Sequence, residues 1–193
     1  MIDDSVLDQL FRAARSTHAF RSEPVTDKTL HELYELLQWG PTAYNGQPGR
    51  YVFVRSEEAK ARLAPALSSG NRAKTLAAPV TVIVAYDIRF FDRLPELAPG
   101  STGRDVLGKD AALAEATALR NGTLQGAYLL LAARALGLTA GPMSGFNADL
   151  VNREFFANTS WRANFLVNLG YADGSPGKPR GARVPFAAAV QIL

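Results

Sequence analysis

The stretch Val80-Thr81-Val82-Ile83-Val84-Ala85 is β-branched and almost wholly apolar. Such a run reads as a strand buried on both faces at the centre of a sheet. Working outward, Tyr51-Val52-Phe53-Val54 reads as a short strand before it, and Phe165 to Tyr171 as another after it. Between them the periodicity becomes helical. Thr26 is a good N-cap for a helix carrying Leu30, Leu33, Leu36 and Leu37 on one face, which stops at Gly40-Pro41. Ser56 opens a helix over Glu57 to Leu67 that Pro65 shortens. Further helices are predicted over Ser5 to Ala14, Ala111 to Leu136 and Asn147 to Phe156. The Pro-, Gly- and polar-rich stretch from Leu94 to Gly108 reads as an exposed excursion. Strands and helices are mixed without regular alternation, which predicts an α+β fold with helices packed on a sheet. No G-x-G-x-x-G follows a strand, so the usual dinucleotide-binding signature is missing.

The 193 residues predict one domain, 1–193, long enough to bury its own core. There are no cysteines, which excludes disulfides, thiolate nucleophiles and cysteine-bound metal clusters. A net charge of +3 with scattered cations points to a small anionic ligand rather than to nucleic acid. The N-terminus, Met1-Ile2-Asp3-Asp4-Ser5, lacks the basic start and apolar run of a secretion signal. The longest apolar run, Ala127 to Ala133, is far short of the roughly 18 residues that span a bilayer. A cytoplasmic protein with neither membrane nor nucleic-acid partners is expected. The helix carrying that run is apolar nearly all round and demands cover on every side.

Four segments carry candidate chemistry. Pro41-Thr42-Ala43-Tyr44-Asn45-Gly46-Gln47-Pro48 presents amides and a hydroxyl between two prolines, in the manner of a stiff loop facing a planar heterocycle. Asn71-Arg72-Ala73-Lys74, if helical, sets a carboxamide and an ammonium on one face. Gly141-Pro142-Met143-Ser144-Gly145-Phe146 has glycines that let backbone approach a ligand. Arg180 and Arg183, with Lys178, form the one local concentration of cations and suit phosphate. Arg15-Ser16-Thr17-His18 adds another cation and two hydroxyls. Taken singly, each is more simply a surface turn.

Taken together, their order resembles the nitroreductase-like superfamily of FMN flavoproteins, and the likeness runs over nearly the whole chain. Trp39-Gly40-Pro41-Thr42, Pro65 to Asn71, Lys74 to Thr81 and Gly141 to Phe146 are most similar to the branch of malonic semialdehyde reductases. The resemblance implies a three-layer α-β-α sandwich with a predominantly antiparallel sheet, in an intertwined homodimer with FMN at the subunit interface. It implies that Arg15, Ser16 and His18 face the flavin, and that Asn71 and Lys74 meet the ribityl chain and pyrimidine edge. Pro142, Met143, Ser144 and Gly145 would back the ring, with the Ser144 N–H near N5, while Arg180 and Arg183 hold the phosphate. Pro41, Thr42, Ala43 and Asn45 would come from the partner chain. Many relatives carry Glu where Ser144 stands, and Arg two positions before the Ser16 equivalent, where this chain has Ala14.

No side chain stands out as a nucleophile or strong base, and no metal site is expected. The implied chemistry is hydride transfer from NADH or NADPH through FMN to a small aldehyde, with ping-pong kinetics. The alternatives are a broad nitro or quinone reductase and a non-catalytic FMN-binding protein.

Overall fold

A computed structural model describes residues 2–17, 19–175 and 179–193. In chain order the elements are α1 (Asp4–Leu7), α2 (Asp27–Leu37), β1 (Gly49–Val54), α3 (Glu57–Leu63), α4 (Ser69–Ala77) and β2 (Val80–Asp87). Then follow α5 (Leu94–Leu97), α6 (Gly103–Leu107), α7 (Ala111–Ala135), β3 (Thr139–Met143), α8 (Ala148–Phe155), β4 (Trp161–Gly170) and α9 (Phe186–Ala189). The sheet has the order β1-β2-β4-β3 and every pairing in it is antiparallel.

β2 is central and buried throughout, as its composition predicts. Its alternate side chains feed two cores. Val80, Val82 and Val84 pack with Leu33 and Leu37 of α2 and Leu129 and Ala133 of α7. Ile83 and Ala85 face the other way, with Leu63, Ala66, Val151 and Phe156. A sheet with a core on each face is the middle layer of an α-β-α sandwich.

Local chemistry explains the starts of α2, α3, α7 and α8. The Thr26 hydroxyl accepts from the Thr29 N–H, and the Ser56 hydroxyl accepts from the Ala59 N–H. Asn147 serves as a cap rather than a helical residue, accepting from the Leu150 N–H. Pro65 ends the regular helix and leaves a short 3-10 turn over Ala64–Ala66. The predicted first helix divides: after α1 the chain widens into a π turn over Asp8–Arg12. A strand runs through Gly141-Pro142, where the sequence reads as a turn. β3 bonds only to β4, and an edge strand tolerates a proline that has no N–H to give.

The excursion also differs from its sequence reading. Phe90, Leu94 and Leu107 are buried against Tyr86 and against Ala114 and Ala118 of α7, so residues 90–107 carry a small core of their own. Short apolar segments separated by Pro and Gly are individually too brief to show periodicity, which is why composition alone reads them as exposed.

α7 lies close on the sheet through small residues spaced by four: Ala114, Ala118, Gly122 and Gly126 are all buried. A Cβ on Gly122 would stand 2.9 Å from Tyr86 Cβ, and one on Gly126 would stand 2.5 Å from Phe165 Cζ. Further along, Leu129 and Ala133 of α7 pack with Leu33 and Leu37 of α2. Leu113, Leu119, Leu124 and Tyr128, on the outer side, remain 38–48% exposed. We expect Gly122→Val to destabilise the protein by about 1–3 kcal/mol, the usual cost of overpacking, because Tyr86 Cβ is fixed by its backbone; urea denaturation checks it.

Candidate functional site

The end of β3 and the start of α4 are tied together. The Gly145 carbonyl accepts from the Asn71 side-chain amide at 2.9 Å and from the Ser68 N–H at 3.1 Å. A Cβ at Gly145 would lie 2.5 Å from Asn71 Nδ2, so any larger residue would have to displace the Asn71 amide from this bond. Asn71 and Lys74 are half-buried on α4, and Ser144 is exposed one residue past β3. Among the described residues no carboxylate pairs with Lys74.

The N-terminal segment crosses the same edge of the sheet. A Cβ on Gly141 would stand 2.9 Å from the Thr17 carbonyl, so glycine admits that backbone beside β3. Arg15, Ser16 and Thr17 line a cleft of about 340 Å³ together with Arg134, Leu138, Thr139 and Ala172. The described lining of this cleft holds no acidic side chain. Arg180 reaches into the region from the C-terminal segment, donating to the carbonyls of Phe11, Arg12 and Ala14 at the end of the π turn. Arg15 donates to the carbonyls of Arg12 and Ala14, and Arg134 to that of Leu10 at 2.9 Å. Cations at a helix C-terminus are favourable, and each guanidinium keeps further N–H groups for an anion. Desolvation and then the proximity of Arg15, Arg183 and Arg134 hold Arg180 below its ordinary pKa. Burial does the same to Arg134. A cluster of like charges of this kind favours an anionic ligand.

Of the residues the resemblance assigns to the site, Pro142 and Met143 lie on β3 and Ser144 and Gly145 just past it, Asn71 is bonded to Gly145, Thr17 after Arg15 and Ser16 passes beside Gly141, and Arg180 bonds the π turn that leads into Arg15. Arg183 is exposed and donates to the carbonyls of Gly181 and Ala182. His18 lies outside the described residues, as does Lys178. Arg134 was missed. Its only sequence signal is a lone cation closing the apolar run of α7.

Pro41, Thr42, Ala43 and Asn45 are elsewhere. Their loop enters β1, the opposite edge of the sheet from β3. Strands stand about 4.8 Å apart, so the three steps across the sheet separate the edges by roughly 14 Å. The loop is strained, with left-handed φ at Tyr44 (57°), Asn45 (54°) and Gln47 (44°). Non-glycine residues in this region are costly and persist where the surroundings over-determine them. Here the Ala43 N–H donates to Asn121 Oδ1 at 2.8 Å, and the Gly49 N–H to Gln125 Oε1 at 2.8 Å. The Asn45 amide donates to the Leu97 carbonyl at 2.9 Å, and the Gln47 N–H to the Thr42 hydroxyl at 3.1 Å. Arg50 donates to the Gln47 carbonyl and is itself paired with Asp87 at 2.8 Å. A groove of about 560 Å³ adjoins this edge, lined by Leu30, Tyr34, Tyr51, Phe53 and Trp161 among others.

The four-stranded antiparallel sandwich with a cationic cleft at one edge and a strained polar loop at the other defines the class. The nitroreductase family model matches residues 11–171, and the chain belongs to that family. It is 56% identical over 185 residues to a Burkholderia lata protein named "Putative NADH dehydrogenase/NAD(P)H nitroreductase", covering 96% of this chain and 95% of that one. A Stenotrophomonas maltophilia protein of the same name is 54% identical over 191 residues, covering 99% and 97%. Among solved structures, an Exiguobacterium sibiricum protein described as "a putative nitroreductase in complex with FMN" matches with a TM-score of 0.85 at 21% identity, covering 100% of this chain and 98% of that one.

The loop's anchoring makes a local prediction. Asn121→Ala leaves the Ala43 N–H without its partner; we expect a loss of about 1–3 kcal/mol and faster proteolytic cleavage within residues 41–48, measured by thermal melting and limited proteolysis.

Proposed function

We propose that the protein is an FMN-dependent oxidoreductase that takes hydride from NADH or NADPH and passes it to a small carbonyl compound, malonic semialdehyde being the acceptor to test first. The observation that carries this reading is the cleft with Arg15, Arg134 and Arg180 around it and no acidic side chain in its described lining, at one end of the β3 edge whose other end is tied to Asn71 of α4. That arrangement offers cations for a phosphate at one end and a carboxamide and ammonium for a polar ring edge at the other.

Bound FMN supplies the hydride-transfer chemistry that no side chain here provides. Arg15, Arg180 and Arg183 hold its phosphate. Ser16 hydrogen-bonds beside them. Asn71 and Lys74 hold the pyrimidine edge, where the ammonium favours negative charge. Pro142, Met143 and Gly145 would back the ring, with the Ser144 N–H available to its polar edge.

The functional unit in this reading is a homodimer. Pro41, Thr42, Ala43 and Asn45 serve the partner's flavin, since their own chain holds them at the far edge of the sheet. Leu113, Leu119, Leu124 and Tyr128 of α7 and the tail residues Val184, Phe186, Val190 and Ile192 are apolar and exposed in the single chain. A dimer interface would cover them.

A broad nitro or quinone reductase is the second reading, favoured by the names of the relatives. Steady-state rates with malonic semialdehyde, a nitroaromatic and a quinone separate the two.

The purified protein should be yellow, with about one non-covalent FMN per chain; a colourless protein that takes up no FMN overturns the reading. Sedimentation at micromolar concentration should give a dimer. Arg183→Ala should weaken FMN binding roughly tenfold or more, the value of a hydrogen bond to a charged group, and added salt should narrow the gap.

A further inference from the structure

Three polar side chains lie in an otherwise apolar layer beneath α4. Thr81 of β2, Asn168 of β4 and Thr75 of α4 are 0%, 1% and 1% exposed. Thr81 and Asn168 are direct partners in the strand register. The Thr81 hydroxyl donates to Asn168 Oδ1 at 2.8 Å, and Asn168 Nδ2 donates to Thr75 Oγ1 at 3.3 Å. The Thr75 hydroxyl then donates to the Met143 sulfur at 3.5 Å. The chain of bonds thus runs from the middle of the sheet, through α4, to the last residue of β3.

Stability alone does not call for this arrangement. Around it, Ile83, Ala85, Leu166 and Leu67 supply an ordinary apolar core. Apolar residues of the same shape would fill the space at comparable or lower cost. What apolar packing lacks is direction: it lets a short helix rotate or slide at little cost, whereas hydrogen bonds weaken steeply off their preferred geometry. Thr75 is the point on α4 where direction matters. It follows Lys74 immediately and sits one turn after Asn71, so pinning Thr75 sets the rotation of both. The far end of the link is placed to matter as well. α4 is bonded to Met143 through Thr75 and to Gly145 through Asn71, on either side of Ser144.

We propose that Thr75, anchored through Asn168 and Thr81, is a positioning residue that sets the orientation of Lys74 and Asn71 relative to Ser144, and through them the affinity and redox potential of the bound flavin. This rests on the reading that Lys74 faces the flavin ring. An active-site group displaced by about 1 Å loses much of its effect, so a small rotation of α4 suffices.

The test compares wild type, Thr75→Val, Thr75→Ser, Lys74→Met and the double variant Thr75→Val/Lys74→Met. FMN affinity is measured by titration, the midpoint potential by dye-equilibrium titration, and the melting temperature on FMN-free protein. Thr75→Val keeps shape and removes only the hydroxyl. It should weaken FMN binding by roughly fivefold to tenfold and lower the midpoint potential in the same sense as Lys74→Met. Thr75→Ser should restore both, and the double variant should show no further shift in potential beyond Lys74→Met. If Lys74→Met moves the potential while Thr75→Val leaves potential and affinity at wild-type values, the proposal is overturned. If Lys74→Met leaves the potential unchanged, the placement of Lys74 fails. The positioning role then stands only if Thr75→Val still weakens FMN and Thr75→Ser rescues it, and falls otherwise. Should Thr75→Val not fold, the isosteric Asn168→Leu is read by the same criteria.

Discussion

α7 can lie unusually close on the sheet because one line of its buried side carries only small residues, Ala114, Ala118, Gly122 and Gly126. At a rise of 1.5 Å per residue it is about 37 Å long, enough to cross the sheet. Its position decides two distant features. Near its middle, Asn121 and Gln125 hold the Pro41–Gly49 loop. At its end, Arg134 grips the π turn that leads into Arg15. The two edges of the sheet, and the two halves of the candidate site, are therefore referred to one rigid element.

Both halves hold free energy that an ordinary surface would not. At the β1 edge it is backbone strain, with three left-handed side-chain-bearing residues in four positions. At the β3 edge it is charge crowding, with several arginines converging on one helix end. Each is compensated locally, the strain by buried amides on α7 and the crowding by carbonyls of the π turn. The second compensation engages one nitrogen of the Arg15 guanidinium and one of the Arg180 guanidinium. A guanidinium has five N–H donors, so each keeps others for a ligand.

Burial without partners is rare among the described residues and so informative where it occurs. The Tyr51 hydroxyl is a buried side-chain polar atom without a hydrogen bond among the described residues, and burial raises its pKa, keeping it neutral. It adjoins the groove at the β1 edge, beside Gln125 and Arg50. The buried trio beneath α4 is the opposite case, every member bonded. Between these extremes the helices obey simple local rules, with a hydroxyl, amide or carboxylate cap at Thr26, Ser56, Asp110 and Asn147.

The amino-acid sequence by itself determined the elements whose burial is uniform or periodic. β2 announces itself because both its faces are apolar, and α2 because its leucines recur at helical spacing behind a threonine cap. The order of the motif segments likewise carried the family likeness. Tertiary structure alone decided the rest. β3 is a strand despite Gly141-Pro142 because it occupies an edge, and edge position is not encoded locally. The segment 90–107 is cored because Tyr86 and α7 supply the surface it lacks. Arg134 joins the site because a helix 37 Å long, by the same rise per residue, ends where the π turn begins. Last, the Pro41–Asn45 loop and the Ser144 turn fall at opposite edges because strand order depends on which edges pair, and pairing is a contact between residues far apart in the chain.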